Sequence, residues 1–193
     1  MVSTDQIKAL RDKTGVSVME CKKALEEAGG DDEKALVLLR KKSSRAAEKK
    51  ADRTLGAGAV AAYIHASGDV GAMVLLSSET DFVSKNEDFK KLAYEIALHA
   101  AAMAPQFVSK EQVKPEDIRA AKEVFEREAE EKPENIRAQI VEGKLNDYLK
   151  EKVLLEQPFV KDSSKTIRDL VEEATQKFGE RIEVTECVRL GVR

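Results

Sequence analysis

Acid–base and nucleophilic chemistry has little to draw on in this chain. It carries two histidines, His65 and His99, and two cysteines, Cys21 and Cys187. The cysteines are far apart and form no Cys-x-x-Cys, so neither a metal ribbon nor a redox pair is expected. Gly56-Ala57-Gly58 precedes an apolar run instead of following one, which fails the dinucleotide-binding context. No Ser, Cys or Lys sits in a recognisable nucleophile motif. The expectation is a protein that is not an enzyme, with no cofactor and no metal. The residues that stand out are Ser78-Glu79-Thr80-Asp81-Phe82-Val83. They close the apolar run Ala72-Met73-Val74-Leu75-Leu76, which reads as a buried strand. The next residues look like a helix start, with Ser84 and Glu87 at capping-box spacing. Asp81 and Phe82 therefore fall on a strand-to-helix corner, where a carboxylate and a large aromatic would project together. Packing explains an aromatic between charges poorly, although Phe82 folding under its own loop as a satellite core residue is the alternative.

The elements that must position this corner follow from periodicity. Ser3 with Gln6, and Ser17 with Glu20, are helix starts, and Thr14-Gly15 and Gly29-Gly30 are breaks. A third helix begins at Asp31 or Asp32, with Ala35, Leu38 and Leu39 on one face. Val18 and Cys21 are assigned to the core of this small bundle. Lys41 to Arg53 follows as a basic connector, read as a solvated helical linker in preference to a nucleic-acid or ribosome-facing patch, since no aromatic is interleaved to stack a base. Ala59–Ile64 and Val70–Leu76 form a hairpin around Ser67-Gly68-Asp69. A long helix then carries Phe89, Leu92, Ala93, Ile96, Ala97, Ala100 and Met103 on one face. Pro115 and Pro133 open two more helices, and another runs from Thr166 to Phe178 with Gly179 as its stop. Ile182, Val184, Val188 and Leu190 alternate along a last strand. Glu186 falls on that same face and points to a bulge, an edge position or an interface. The fold class is α+β: a three-helix head and connector over 1–52, then a core over 53–193 with helices on a small antiparallel sheet.

Composition narrows the partners. Charged residues make up 36% of the chain, against roughly 25% in average proteins. Lys+Arg (33) nearly balance Asp+Glu (36), so the net charge is only −3. Interspersed signs describe solvated helices and argue against a global nucleic-acid footprint. No run approaches the roughly 18 apolar residues of a membrane span. Neither a signal nor a transit peptide is visible, so a cytoplasmic chain with reduced thiols is expected.

Three blocks resemble the bacterial translation elongation factor Ts family, in that family's order. They are Thr14-Gly15-Val16-Ser17-Val18-Met19-Glu20-Cys21-Lys22-Lys23-Ala24-Leu25, Glu79-Thr80-Asp81-Phe82-Val83-Ser84-Lys85-Asn86, and Leu154-Leu155-Glu156-Gln157-Pro158-Phe159-Val160-Lys161-Asp162. Ser77-Ser78 stands where the family often has Asn-Cys, and Glu20 where it often has Asp. Longer members carry a duplicated core and a helical hairpin, and this chain has room for one core, so it resembles a short, single-core form.

The resemblance implies a ubiquitin-associated-like head and a guanine nucleotide exchange factor for elongation factor Tu. It implies that Thr80, Asp81, Phe82 and Val83 form the corner that disturbs the GTPase's magnesium site. Because one buried Phe cannot supply the whole change in affinity, a second contact is expected in the head around Thr14, Gly15, Val16, Met19 and Lys22. An exposed loop there, with small Gly15 and apolar Val16 and Val18, would suit docking. His99 lies in a segment similar to one whose histidine touches the partner, yet it falls on an apolar helix face, so contact and core both stand. A single core where longer relatives have two implies a homodimer built through the core, with Arg181 to Leu190 as its interface. The rival from another class is a ubiquitin-associated-like binding module for a peptide or ribosomal partner, without exchange activity.

Overall fold

The computed structural model describes residues 2–192. The first three helices form where the caps predict. Helix α1, Thr4–Thr14, has a full capping box between Ser3 and Gln6. Helix α2, Val18–Glu27, is capped by Ser17, and α3, Asp32–Glu48, by Asp31. Leu10, Val16, Cys21, Ala24, Leu25, Ala35 and Leu39 form their common core, with Leu36 packed against it where Leu38 was expected. The connector is less of a linker than its composition suggests. Helix α3 runs through most of it, burying Ser43 and turning Lys41 and Arg45 to solvent.

Strands β1, Ala57–Ile64, and β2, Val70–Ser78, make the expected hairpin, closed by the His65 N–H on the Val70 carbonyl (2.9 Å). Strand β5, Ile182–Gly191, lies on the other side of β2, giving the order β1-β2-β5. A short helix α4, Asp81–Ser84, follows β2 directly, and α5 occupies Glu87–Met103. The start of α5 corrects the expected capping box. Asn86 accepts the Asp88 N–H through its side chain (2.9 Å), while Ser84 belongs to α4 and bonds the Asp81 carbonyl. Helices α6, Pro115–Ala129, and α7, Glu134–Lys152, form a helical hairpin. Strands β3, Pro158–Phe159, and β4, Asp162–Thr166, pair antiparallel ahead of α8, Ile167–Phe178.

Along β5 the burial changes sides. Ile182 and Val184 are buried, but Val188 and Leu190 are exposed, against expectation. Past Glu186 it is Arg189, exposed as a residue, that reaches the inner side, its Nε donating to the Ala101 carbonyl (2.9 Å). A one-residue slip in a strand exchanges its two faces in this way, and Glu186 marks the place.

The chain divides into two compact units. One gathers residues 1–61, 75–93 and 168–185, and so contains both the helical head and the Asp81-Phe82 corner. The other gathers 62–74, 94–167 and 186–193, including the helical hairpin and His99.

Candidate partner-binding site

Phe82 is not a satellite core residue. It is 83% exposed at the first turn of α4, with Asp81 exposed beside it. Leaving a Phe in water forgoes about 1.5–3 kcal/mol of burial. Its neighbours are anchored. Val83 and Ser84 are buried, and the Ser78 hydroxyl donates to the Thr80 carbonyl (3.0 Å). Thr80 gives its N–H (3.0 Å) and its hydroxyl (2.6 Å) to the two carboxylate oxygens of Glu180. Glu79 answers by accepting the Arg181 N–H and pairing with Arg53 (3.1 Å). The Arg181 N–H, then the Arg53 guanidinium, hold the Glu79 carboxyl below its ordinary pKa. Asp81 is likewise lowered, chiefly by the bond from Lys85 (2.6 Å).

Around the head loop the expected burial of two valines exchanges. Val16 is 2% exposed and Val18 51% exposed. Val16 precedes the Ser17 cap and Cys21 stands four residues into α2, the two positions of a hydrophobic staple. The staple draws Val16 into the core, with the Cys21 thiol on its carbonyl, and leaves Val18 on the first turn outside the buried stripe. Burial raises the Cys21 pKa. Thr14 builds the loop through its hydroxyl, which donates to the Leu10 carbonyl (2.7 Å) and accepts the Val16 N–H. Met19 (65% exposed) and Lys22, paired with Glu26, face solvent.

Gly15 ends α1 at φ +69°, with the Lys177 side chain so near that an added Cβ would lie 3.3 Å from it. Lys177 also binds Asp88 at the start of α5 (2.7 Å), and Gln176 donates to Glu20 (3.1 Å) and accepts the Ser43 hydroxyl. Helix α8 thus ties the head to the residues just after the corner, within one compact unit.

His99 belongs to the other compact unit and is fully buried. Its Nδ1 accepts the Val160 N–H (3.2 Å), so Nε2 carries the proton and donates to Gln157 Oε1 (3.0 Å). Gln157 Nε2 in turn donates to the Glu151 carbonyl (2.8 Å), and Phe159 packs on the ring. Burial lowers the His99 pKa, against the Gln157 bond. The contact reading of His99 is corrected, because both nitrogens are occupied and no surface is offered. The Gln157-Pro158-Phe159-Val160 block is the clamp that holds it.

The family model described as Elongation factor TS matches residues 43–193, from the end of the head to the C-terminus. The chain belongs to the elongation factor Ts family. Similarity extends across the head as well. The elongation factor Ts of Coprothermobacter proteolyticus is 50% identical over 190 residues, covering 97% of this chain and 96% of that protein. That of Desulforamulus reducens is 47% identical over 190 residues, 97% of this chain and 88% of that protein. That of Thermotoga petrophila is 46% identical over 188 residues, 97% and 94%. Membership makes the chain a translation elongation factor, at work in protein biosynthesis. Among the described residues no helix is long and apolar enough to cross a membrane, and no group of three His, Cys, Asp or Glu could hold a metal ion.

The residues that sequence reasoning missed are the partners of the motifs. Glu180, Arg181, Lys177 and Arg53 hold the corner and the head loop from far along the chain. The available signal was the Glu180-Arg181 pair directly after the Gly179 stop, beside the start of β5, facing Glu79-Thr80 at the end of β2.

Proposed function

We propose that this chain is a guanine nucleotide exchange factor for elongation factor Tu and promotes GDP release by disturbing the magnesium site during translation elongation. The observation that carries the reading is an exposed Phe82 on an anchored corner. An exchange factor needs no catalytic group. It binds the nucleotide-free GTPase more tightly than the loaded one, and linkage weakens nucleotide by the same factor. Phe82 is the wedge and Asp81 its polar companion, while Thr80 and Val83 fix the corner. Magnesium neutralises phosphate charge, so displacing it loosens GDP.

The wedge acts with a second surface. A thousandfold change in affinity is about 4 kcal/mol, and burying one Phe gives about 1.5–3 kcal/mol. Residues 1–52, as a separable head of ubiquitin-associated type, supply the rest. Gly15, Val18, Met19 and Lys22 touch the partner, with Thr14 and Val16 shaping the loop beneath them; the core, 53–193, carries the wedge. Fluorescent GDP bound to elongation factor Tu tests the reading: the chain accelerates its release, and release at the uncatalysed rate with the chain in excess would reject it.

The core also pairs with a second copy of itself. Strand β5 has a free edge in the sheet order β1-β2-β5, and unpaired edges invite pairing. Ile64, Met73, Val188, Leu190 and Val192 leave an apolar groove of about 500 Å³ on one sheet face open to solvent. Cys187 lies on the opposite side of β5 from Val188, and burial raises its pKa. Light scattering at micromolar concentration gives twice the chain mass if this holds, and the single-chain mass with full exchange activity removes it.

A further inference from the structure

We infer that Glu180 is a positioning residue for exchange, holding the corner so that Phe82 is aimed before the partner arrives; the inference rests on the exchange reading above. Helix α4 is only four residues long, too short to hold its own geometry. Its direction must come from its anchors. On the C-terminal side these are the buried Val83 and Ser84. On the N-terminal side the anchor is Thr80, the residue at the cap position, with extended φ −125° and ψ 158°.

A threonine there ordinarily turns its hydroxyl onto the N–H groups of the helix it starts. Thr80 makes no such bond. Both its N–H and its hydroxyl are taken by the half-buried carboxylate of Glu180 (3.0 and 2.6 Å). The bond is matched in reverse by the Arg181 N–H on Glu79, while the Arg181 guanidinium donates to the Arg53 carbonyl (2.6 Å). The end of β2 and the start of β5 therefore exchange side-chain-to-backbone bonds where the strand ladder ends. This clasp fixes the residue two positions before Phe82. Without Glu180 the Thr80 hydroxyl is free to cap α4, and the ring loses its fixed direction. Glu180 itself touches neither nucleotide nor metal in this scheme.

The test measures release of fluorescent GDP from elongation factor Tu by the full chain, giving the maximal rate and the half-saturating concentration. The variants are Glu180→Ala, Glu180→Gln and Thr80→Val, each alone and with Phe82→Ala. Glu180→Ala lowers the maximal rate about tenfold and leaves the half-saturating concentration within about twofold, because the head surface is intact. Glu180→Gln, whose amide can still accept the N–H and donate to the hydroxyl oxygen, stays within about threefold of the parent. In a Phe82→Ala background, Glu180→Ala adds no further loss. A folded Glu180→Ala chain with the parent maximal rate overturns the inference, as does a Gln variant as slow as the Ala variant, or an equal further loss without Phe82. Should Glu180→Ala not fold, Thr80→Val carries the same test, since it removes the hydroxyl bond and keeps the side-chain shape. Parent rates from Phe82→Ala alone would instead bring down the wedge reading itself. A slow Phe82→Ala beside a normal Glu180→Ala brings down only the role of Glu180.

Discussion

Phe82 and Phe159 belong to two of the blocks that tie this chain to its family, and they do opposite things. Phe82 stands out in solvent on a corner whose polar groups are bonded internally, so the ring is what remains unpartnered. Phe159 is buried against His99, and there nothing remains unpartnered: both imidazole nitrogens, the Gln157 amide and the Val160 N–H are all satisfied within the fold. On the exchange reading proposed above, one motif keeps its burial for the partner, while the other spends it on the fold. Motif membership alone does not separate them. What separates them is whether the side chain's own demand, for burial or for hydrogen bonds, is met inside the molecule.

The sharpest break between the two is made by two substitutions. Phe82→Ala should slow GDP release roughly ten- to a hundredfold, the worth of about 1.5–3 kcal/mol of burial realised only in the complex. Its melting temperature should match the parent, because the ring touches little in the free chain. A clear drop in melting temperature would return Phe82 to the core and dissolve the contrast. His99→Ala should do the reverse. It leaves a cavity and strands the Gln157 amide and the Val160 N–H, costing about 2–4 kcal/mol, while exchange per folded molecule stays at the parent value. Slowed exchange from a folded variant of unchanged stability would restore His99 as a partner contact.

The same contrast recurs inside the head, on a smaller scale. Val16→Ala should cost stability, about 1–3 kcal/mol for a buried aliphatic, and Val18→Ser with Met19→Ser should cost none. The latter pair should raise the half-saturating concentration for exchange about tenfold while leaving the maximal rate alone. Opposite results at the two positions would mean that the staple opens on binding and Val16 is the contact after all.

The difference in legibility between these regions is physical. Helix existence, the hairpin and the strand-to-helix corner were readable because caps, prolines and apolar periodicity are local. The Val16–Val18 exchange was legible too, from the staple positions either side of the Ser17 cap, but helical periodicity alone puts Val18 in the core stripe and hides it. Ser84 failed as a cap because an extra turn, α4, fits between the strand and the long helix, and Asn86 takes the cap. Val188 and Leu190 alternate correctly as letters, yet the slip at Glu186 moves them outward. Nothing local could show that Glu180 holds Thr80 or that Gln157 holds His99, since each pair is far apart in sequence. Resemblance supplied the blocks; their roles needed the contacts.

Acid should act on the buried side of the comparison before the exposed one. Burial lowers the pKa of His99 from the ordinary 6.5, so the unfolded chain takes up a proton that the folded chain refuses. The stability that neutral His99 contributes is fully present above pH 6.5 and is lost as pH falls from there through the folded-state pKa. Melting temperature should therefore decline below about pH 6.5, and His99→Gln should decline less steeply over the same interval. Identical slopes would show that other groups set the acid limit.

Asp81 offers the smallest effect and the finest test of the exposed side. Its carboxylate meets Lys85 at 2.6 Å with both side chains more than 70% exposed (72% and 75%). An ion pair so open to water and salt contributes little to the fold, so Asp81→Ala should melt with the parent. Its place next to Phe82 predicts a loss in exchange smaller than that of Phe82→Ala, because charge at a wet corner is screened while an apolar wedge is not. The loss should shrink as salt rises, and Phe82→Ala should show no such trend. If Asp81→Ala proves as slow as Phe82→Ala at every salt concentration, the carboxylate acts in a water-excluded contact with the metal site, and the wedge is a pair of residues rather than one ring.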